Sequence, residues 1–232
     1  IAMTLMSLTP LLMALAAWSH WPAFHEYVER EFEHPPWHGF YWWDCVMPTF
    51  IFISGSTIPL VITRRLEKGD SAFSIYMRLL RRLVILMTLN LIAYGALDTL
   101  DWHMFRYTGV LARIGISYVL ASILVMHTTP RRQLAWVIGI LAGYWAAMAL
   151  IPVPGIGRGI YTPLENLAGY MDRFLMPGRI MGGMFDRLGM YSTIPTVCTV
   201  LLGSLAGHWL FLTDRSPSRK VAVLVVAGVL CR

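Results

Sequence analysis

An imidazole and a carboxylate stand ten positions apart, just ahead of a long apolar run: His34 and Asp44. A histidine ring titrates near neutral pH, so it can act as a general base or a nucleophile, and a nearby carboxylate can orient it. Pro35 and Pro36 hold His34 in a non-helical approach to the run, whereas Asp44 favours a helix N-terminus. The pattern predicts a His34–Asp44 catalytic site at a water-to-membrane boundary. The alternative is an anchoring loop with amphipathic histidines.

Aromatic residues follow His34 closely, and Trp37, Tyr41, Trp42 and Trp43 form the kind of belt that marks a membrane interface. Trp37 is in addition a candidate for binding the substrate.

Arg113 lies five residues into an apolar run. A charge costs roughly 2.5–3.5 kcal/mol at the centre of a membrane helix on insertion scales, so its presence needs a reason. One interpretation is that Arg113 faces the bundle interior and pairs with a carboxylate such as Asp44, or with a substrate anion. The other is that it extends to the nearby interface and has no function.

The segment 153–192 is rich in Gly and Pro and carries polar residues suited to hydroxyl-rich ligands such as sugars. The candidates for substrate binding are Asn166, Asp172, Asp186 and Ser192. The same side chains can equally hydrogen-bond the loop to itself.

A basic amphipathic helix is predicted ahead of the run that starts near residue 83, with Phe73 on its apolar face and Arg78, Arg81 and Arg82 on the other. These arginines can contact anionic lipid headgroups. The sharper hypothesis is a phosphate-binding surface for a soluble anionic cosubstrate, which makes them cofactor-binding candidates.

Composition decides the class of protein. Of the 232 residues, 56% are hydrophobic and 14% are charged, the latter against roughly 25% in soluble domains. A soluble globular domain, a disordered chain and a disulfide-stapled module are therefore excluded. The net charge of +6 does not indicate a nucleic-acid partner, because the basic residues lie in short loops between apolar runs. Three cysteines without a CxxC pair indicate neither a zinc site nor a disulfide framework, and no metal is expected.

The fold class predicted is an all-α, polytopic transmembrane bundle that forms a single domain over 1–232, incomplete at both ends. Its seven apolar segments are residues 1–17, 45–63, 83–97, 109–127, 134–152, 193–212 and 221–230.

Charge bias in the connecting segments predicts the orientation. Residues 64–82, 128–133 and 213–220 carry 11 Lys or Arg in 33 positions, whereas residues 18–44, 98–108 and 153–192 carry 6 in 78. The first group is therefore assigned to the cytoplasm and the second to the opposite face.

Several blocks in order resemble the heparan-α-glucosaminide N-acetyltransferase-like transmembrane acyltransferases, especially their bacterial members. The blocks are EHPPWHGF at 33–40, DCVMPTFIFISG at 44–55, GVLARI at 109–114, and residues 166–173 and 186–195.

The resemblance implies an enzyme of the bacterial inner membrane that moves acetyl from cytoplasmic acetyl-CoA to an amino sugar or glycan on the opposite face. It also implies that His34 is the catalytic residue, acting as general base or as acetyl-accepting nucleophile. The alternative is a permease for a small glycoside or a non-catalytic membrane subunit. Membrane lipids and a further copy of the chain are the other partners considered.

Overall fold

The computed structural model describes residues 11–15, 17–19, 21–99, 101–176, 178–180 and 185–230. Within these ranges the chain is helical and contains no strand beyond an isolated bridge between Val153 and Gly157. The all-α class predicted from the sequence is confirmed. The chain divides into two compact units, Ile1–Ile51 and Phe52–Arg232. The single domain over 1–232 stays a prediction.

The first unit contains helix α1 (Pro22–Glu31), a single 3-10 turn (Trp42–Cys45) and the beginning of α2 (Val46–Ser56). Helix α1 begins at a proline, whose missing N–H costs nothing at a helix start. Between α1 and the turn, residues 33–41 have no helical structure, as the two prolines predicted. This irregular segment carries His34.

Eight further helices make up the second unit. They are α3 (Ile58–Glu67), α4 (Ala72–Ala93), α5 (Ala96–Thr99), α6 (Val110–His127), α7 (Pro130–Leu150), α8 (Leu167–Leu175), α9 (Thr193–Leu212) and α10 (Pro217–Leu230). Local chemistry sets several of their starts. Ser71 accepts a hydrogen bond from the Ser74 backbone at 3.2 Å, and Asn166 accepts one from the Gly169 backbone at 2.7 Å.

Four helical segments of the described ranges are long and apolar enough to cross a membrane: Trp42–Glu67, Val110–His127, Pro130–Leu150 and Thr193–Leu212. The chain is an integral membrane protein of the polytopic helical class, but seven spans are not confirmed. The segment 221–230 belongs to a helix of only 14 residues. Most of the segment 1–17 lies outside the described residues. The segment 83–97 is split between α4 and α5, and the first half of α4 is basic.

Helix α4 nevertheless runs antiparallel along the whole of α6. Near the end of α6, Tyr76 Oη lies 2.5 Å from His127 Nε2. Near its start, Asn90 Oδ1 accepts a hydrogen bond from the Ala112 backbone at 3.4 Å. Helix α4, with its arginines, therefore lies alongside α6, which is one of the four membrane-length helices.

Small residues allow α9 to pack closely against α2. A Cβ on Gly203 would collide with the carbonyl of Phe52, and a Cβ on Gly207 would collide with that of Ser56. In lipid there is little hydrophobic driving force between helices, so close backbone approach of this kind supplies the packing energy. Helix α9 thereby forms the centre of the second unit, and Val200 and Leu201 on it are fully buried.

Candidate functional site

His34 and Asp44 form a close pair in the first unit. His34 Nδ1 lies 2.6 Å from Asp44 Oδ1, and the second carboxylate oxygen accepts the Tyr41 N–H at 2.9 Å. While ionised, the Asp44 carboxylate can only accept hydrogen bonds, so Nδ1 carries the proton and Nε2 keeps its lone pair. The His34 side chain is 51% exposed. A half-exposed imidazole with a fixed tautomer and a free basic nitrogen suits proton abstraction or nucleophilic attack.

The loop that holds His34 is fastened at both of its ends. Glu31 accepts the Trp42 backbone N–H at 3.2 Å, and the rings of Phe32 and Trp43 meet edge to face at 5.9 Å. Gly39 has a φ of 134°, which favours glycine. These contacts bring residues ten positions apart in sequence within hydrogen-bonding distance.

Trp37 is partly exposed and lies edge-on to the His38 ring at 6.4 Å. It remains available as a flat apolar surface next to the histidine-bearing segment. Its role as a substrate-binding residue stays a prediction.

Arg113 lies in a cluster of polar groups in the second unit. Its Nη2 atom donates to the carbonyl of Arg187 at 3.1 Å, to that of Gly189 at 3.4 Å, and to Ser192 Oγ. Its Nε atom is buried and has no hydrogen-bond partner among the described residues. The partners of Arg113 given by these hydrogen bonds are two carbonyls and a hydroxyl. Its pairing with a carboxylate such as Asp44, or with a substrate anion, stays a prediction.

Asp172 on α8 contributes a buried carboxylate, 2% exposed, to the same cluster. Its Oδ1 atom accepts the Tyr191 backbone N–H at 2.9 Å. A Cβ on Gly189 would overlap this carboxylate, so the close approach requires glycine. Burial raises the pKa of Asp172, and the hydrogen bond from Tyr191 only partly offsets that rise.

Asp186 is held in a different way. Arg106 donates to its two carboxylate oxygens from Nε at 3.2 Å and Nη2 at 3.0 Å, and Thr108 Oγ1 donates at 2.5 Å. Burial alone would raise the pKa of Asp186, but the hydrogen bonds from Thr108 and Arg106 outweigh it, so the pKa lies below the ordinary value. Arg106 and Thr108 were not among the residues predicted from the sequence, in which nothing about the single arginine of the segment 98–108 indicates its partner Asp186.

Asn166 and Ser192 are occupied by their own chain. Asn166 donates to the carbonyls of Thr162 at 2.6 Å and Pro163 at 3.1 Å, in addition to capping α8. Ser192 donates to the Gly189 carbonyl at 3.0 Å while it accepts from Arg113. Both residues thus favour the alternative that this loop hydrogen-bonds to itself.

The three arginines of α4 are not equivalent. Arg78 and Arg82 line a cavity together with Arg65 of α3, whereas Arg81 is not part of its lining. The described residues contain no group of three or more His, Cys, Asp or Glu suited to a metal ion.

Two comparisons with known proteins bear on this chain. A family model described as "Domain of unknown function (DUF5009)" matches residues 1–154. The heparan-alpha-glucosaminide N-acetyltransferase of Homo sapiens is 28% identical over 224 residues, and that of Mus musculus is 25% identical over 228 residues. Each match covers 76% of this chain and 34% of the relative, so the chain spans about a third of the length of these proteins. The resemblance predicted from the motifs is confirmed.

Proposed function

This chain belongs to the family described as a domain of unknown function (DUF5009), and we propose that it is the membrane-embedded part of an acetyltransferase. The donor is acetyl-CoA in the cytoplasm, and the acceptor is the amine of an amino sugar or glycan on the opposite face. The observation that carries the proposal is the His34–Asp44 pair, with Nδ1 and Oδ1 2.6 Å apart. The likeness to two named N-acetyltransferases supports the reaction class.

His34 serves this reaction in one of two ways. As a general base, Nε2 takes a proton from the attacking amine while the amine nitrogen forms a bond to the thioester carbonyl carbon. The carbon–sulfur bond then breaks, and the imidazolium returns the proton to the departing thiolate. As a nucleophile, Nε2 attacks the thioester carbonyl carbon, the carbon–sulfur bond breaks, and coenzyme A leaves as the thiolate. The amine then attacks the acetylated ring, the carbon–Nε2 bond breaks, and the proton lost by the amine passes to the thiolate. In both routes Asp44 keeps the proton on Nδ1 and stabilises the positive ring.

The candidates for binding the acceptor are Trp37 in the first unit and, in the second unit, Arg113, Asn166, Asp172, Asp186 and Ser192. Arg113 is the strongest candidate among them because its buried Nε lacks a partner in the described part of the chain. A hydroxyl or carboxylate of a sugar acid would satisfy it.

The proposed orientation sets the arginine-rich end of α4 in the cytoplasm and His34 on the opposite face. The density of Lys and Arg in the connecting segments supports it. Coenzyme A carries several phosphate charges and cannot enter hydrocarbon unaided. Its nucleotide therefore stays near the basic residues, while its long pantetheine arm reaches between helices. Seven spans are part of the same proposal.

The test is acetyl transfer by membranes that contain the full protein, supplied with radiolabelled acetyl-CoA and a panel of amino sugars. His34→Ala should lower transfer on the order of 10²-fold or more, the usual scale for loss of a general base. His38→Ala, which removes a second imidazole from the same loop, should cost far less. Equal transfer by His34→Ala and the unaltered protein, at matched expression, would rule out His34 as the catalytic residue. Uptake of a glycoside without acetylation would favour the permease instead.

A further inference from the structure

A cavity of about 160 Å³ lies between α3, α4 and α6, beside the middle of α6. Most of its wall is apolar and is supplied by isoleucine, leucine and valine side chains of α3 and α4. The polar part of the lining consists of Arg65, Arg78, Arg82, Tyr118 and Ser122. Arg78 and Arg82 are exposed and Arg65 is partly exposed, yet three cations beside one apolar wall are unusual, because like charges repel each other.

The charges of this cavity are only partly compensated. Asp70 Oδ2 lies 3.0 Å from Arg65 Nη1 and 3.8 Å from Arg78 Nη2, so one carboxylate serves two guanidinium groups. Arg82 has no carboxylate partner in the part of the chain that the structure describes. Its guanidinium carbon lies 3.9 Å from the centre of the Tyr118 ring, in a cation–π contact. The lining therefore carries an excess of positive charge.

Arg82 contacts the middle of α6 and not its end. It packs on Tyr118, the ninth residue of the eighteen in α6, which is one of the membrane-length helices. An arginine that only anchors a helix lies near its end, where its head group reaches water. An ionisable residue halfway along a span is instead expected to face a ligand or a polar path. Arg82, Arg78 one turn away, and Arg65 near the end of α3 form such a path.

Ser122 provides a second, independent sign of a ligand. Its residue is 1% exposed, and its Oγ has no hydrogen-bond partner among the described residues. A buried hydroxyl without a partner is unfavourable, since it has lost its hydrogen bonds to water. Because Ser122 lines the cavity, a ligand there would give the hydroxyl the partner that the protein does not.

We propose that this cavity binds a phosphate group, held by Arg82, Arg78 and Arg65 and by the Ser122 hydroxyl. Guanidinium groups bind phosphate through paired hydrogen bonds, and the apolar wall suits a carbon chain attached to that phosphate. Two sources have this chemistry: coenzyme A and an anionic lipid. Only the first rests on the proposed function. The proposal departs from the sequence-based basic surface, because it includes Arg65 and Ser122 and leaves Arg81 out.

The test measures binding rather than turnover, so it is independent of acetyl transfer. The purified protein is placed in lipid nanodiscs of phosphatidylcholine, with or without phosphatidylglycerol. Equilibrium dialysis with radiolabelled coenzyme A gives its Kd, and native mass spectrometry gives the retention of phosphatidylglycerol. The variants are Arg82→Gln and Ser122→Ala, with Arg81→Gln as the matched control. Arg81→Gln removes the same charge from the adjacent position, and circular dichroism checks that each variant is folded.

Arg82→Gln should raise the Kd or lower the retention by at least about tenfold, the effect of losing one charge-assisted contact. Ser122→Ala, which leaves every charge in place, should cause a smaller loss, and Arg81→Gln should change the value less than twofold. If Arg82→Gln weakens the binding of coenzyme A more than Arg81→Gln does, the cavity is a site for the acetyl donor. If the same difference is found for phosphatidylglycerol, the cavity is a lipid site. Equal effects of Arg82→Gln and Arg81→Gln, or no binding of either ligand, would overturn the proposal.

Discussion

Arg106 and Asp186, eighty residues apart in sequence, form a two-bond ion pair in the interior of the second unit. Arg106 donates from Nε at 3.2 Å and from Nη2 at 3.0 Å, and both side chains are almost completely buried. The guanidinium also lies over the Tyr94 ring at 4.2 Å. The pair fixes the segment after residue 185, whose carbonyls at Arg187 and Gly189 bind Arg113. The ion pair therefore positions the backbone carbonyls that bind Arg113.

Breaking this ion pair should destabilise the protein strongly. Arg106→Ala leaves the Asp186 carboxylate buried without its cation, and such a loss costs about 3–5 kcal/mol. The double variant Arg106→Met with Asp186→Leu should lose less than Arg106→Ala alone, because no unpaired charge remains. Thermal unfolding in detergent measures both, with Arg158→Ala in an exposed loop as the control. A double variant less stable than the single one would contradict this account.

The two carboxylates of the cluster should respond to pH in opposite directions. The lowered pKa of Asp186 means that it stabilises the fold above its ordinary pKa, and this contribution is lost as pH falls through the lowered value. The raised pKa of Asp172 means that its charge is unfavourable in the folded protein at neutral pH, and protonation relieves the penalty as pH falls.

Asp172→Asn should therefore raise the Tm at neutral pH by about 2–4 °C, the scale of 1 kcal/mol in a protein of this size. The Asn oxygen can still accept the Tyr191 N–H, so the hydrogen bond is retained. The difference from the unaltered protein should shrink as pH falls through the raised pKa of Asp172, because the carboxyl group then becomes neutral. A gain in Tm that is independent of pH would show that the carboxylate charge is not its cause.

The helical class and the membrane location followed from the sequence because they depend on apolar runs of sufficient length, which are local properties. The number of spans did not follow. The arginines of α4 interrupt its apolar run, and its pairing with α6, through Tyr76 and Asn90, is visible only in the structure. Such pairing depends on tertiary contacts, which hydropathy along one segment does not contain.

The His34–Asp44 pair was accessible from sequence because the two residues are close along the chain and separated by prolines and a helix start. For the Arg113 cluster, the sequence predicted the candidate residues but not the contacts between them. Its geometry depends on contacts over more than seventy positions, such as Arg113 with Ser192. The contribution of Arg106 could not be predicted, since a lone arginine in a loop is ordinarily exposed to solvent.

Gly203 offers a test of the close packing of α9. Gly203→Ala places a Cβ against the Phe52 carbonyl and should cost about 1–3 kcal/mol, the usual effect of overpacking. Gly143→Ala on α7 is the control, because nothing lies within 4 Å of the added Cβ and alanine favours the helix. Thermal unfolding in detergent compares the two. Equal stability of both variants would mean that α9 does not approach α2 so closely.

The proposed orientation predicts which residues a membrane-impermeant thiol reagent can reach. In a background without cysteine, Glu29→Cys and Lys68→Cys should label from opposite faces of the membrane, because the density of basic residues assigns their segments to different sides. Labelling of intact cells and of inverted vesicles checks this. Labelling of both positions from one side only would exclude the orientation.

Asp44 should act as a positioning residue for His34, and its loss should affect kcat rather than KM. In Asp44→Asn the amide group can donate to Nδ1, which would move the ring proton to Nε2 and remove the lone pair that the reaction needs. We expect kcat for acetyl transfer to fall on the order of 10²-fold, with KM for both substrates little changed. Glu31→Gln is the matched control, because it also removes a carboxylate charge from one end of the loop but keeps an acceptor for the Trp42 N–H. A comparable loss of kcat in Glu31→Gln would point to disruption of the loop. Full activity of Asp44→Asn would show that the 2.6 Å contact does not set the state of the imidazole.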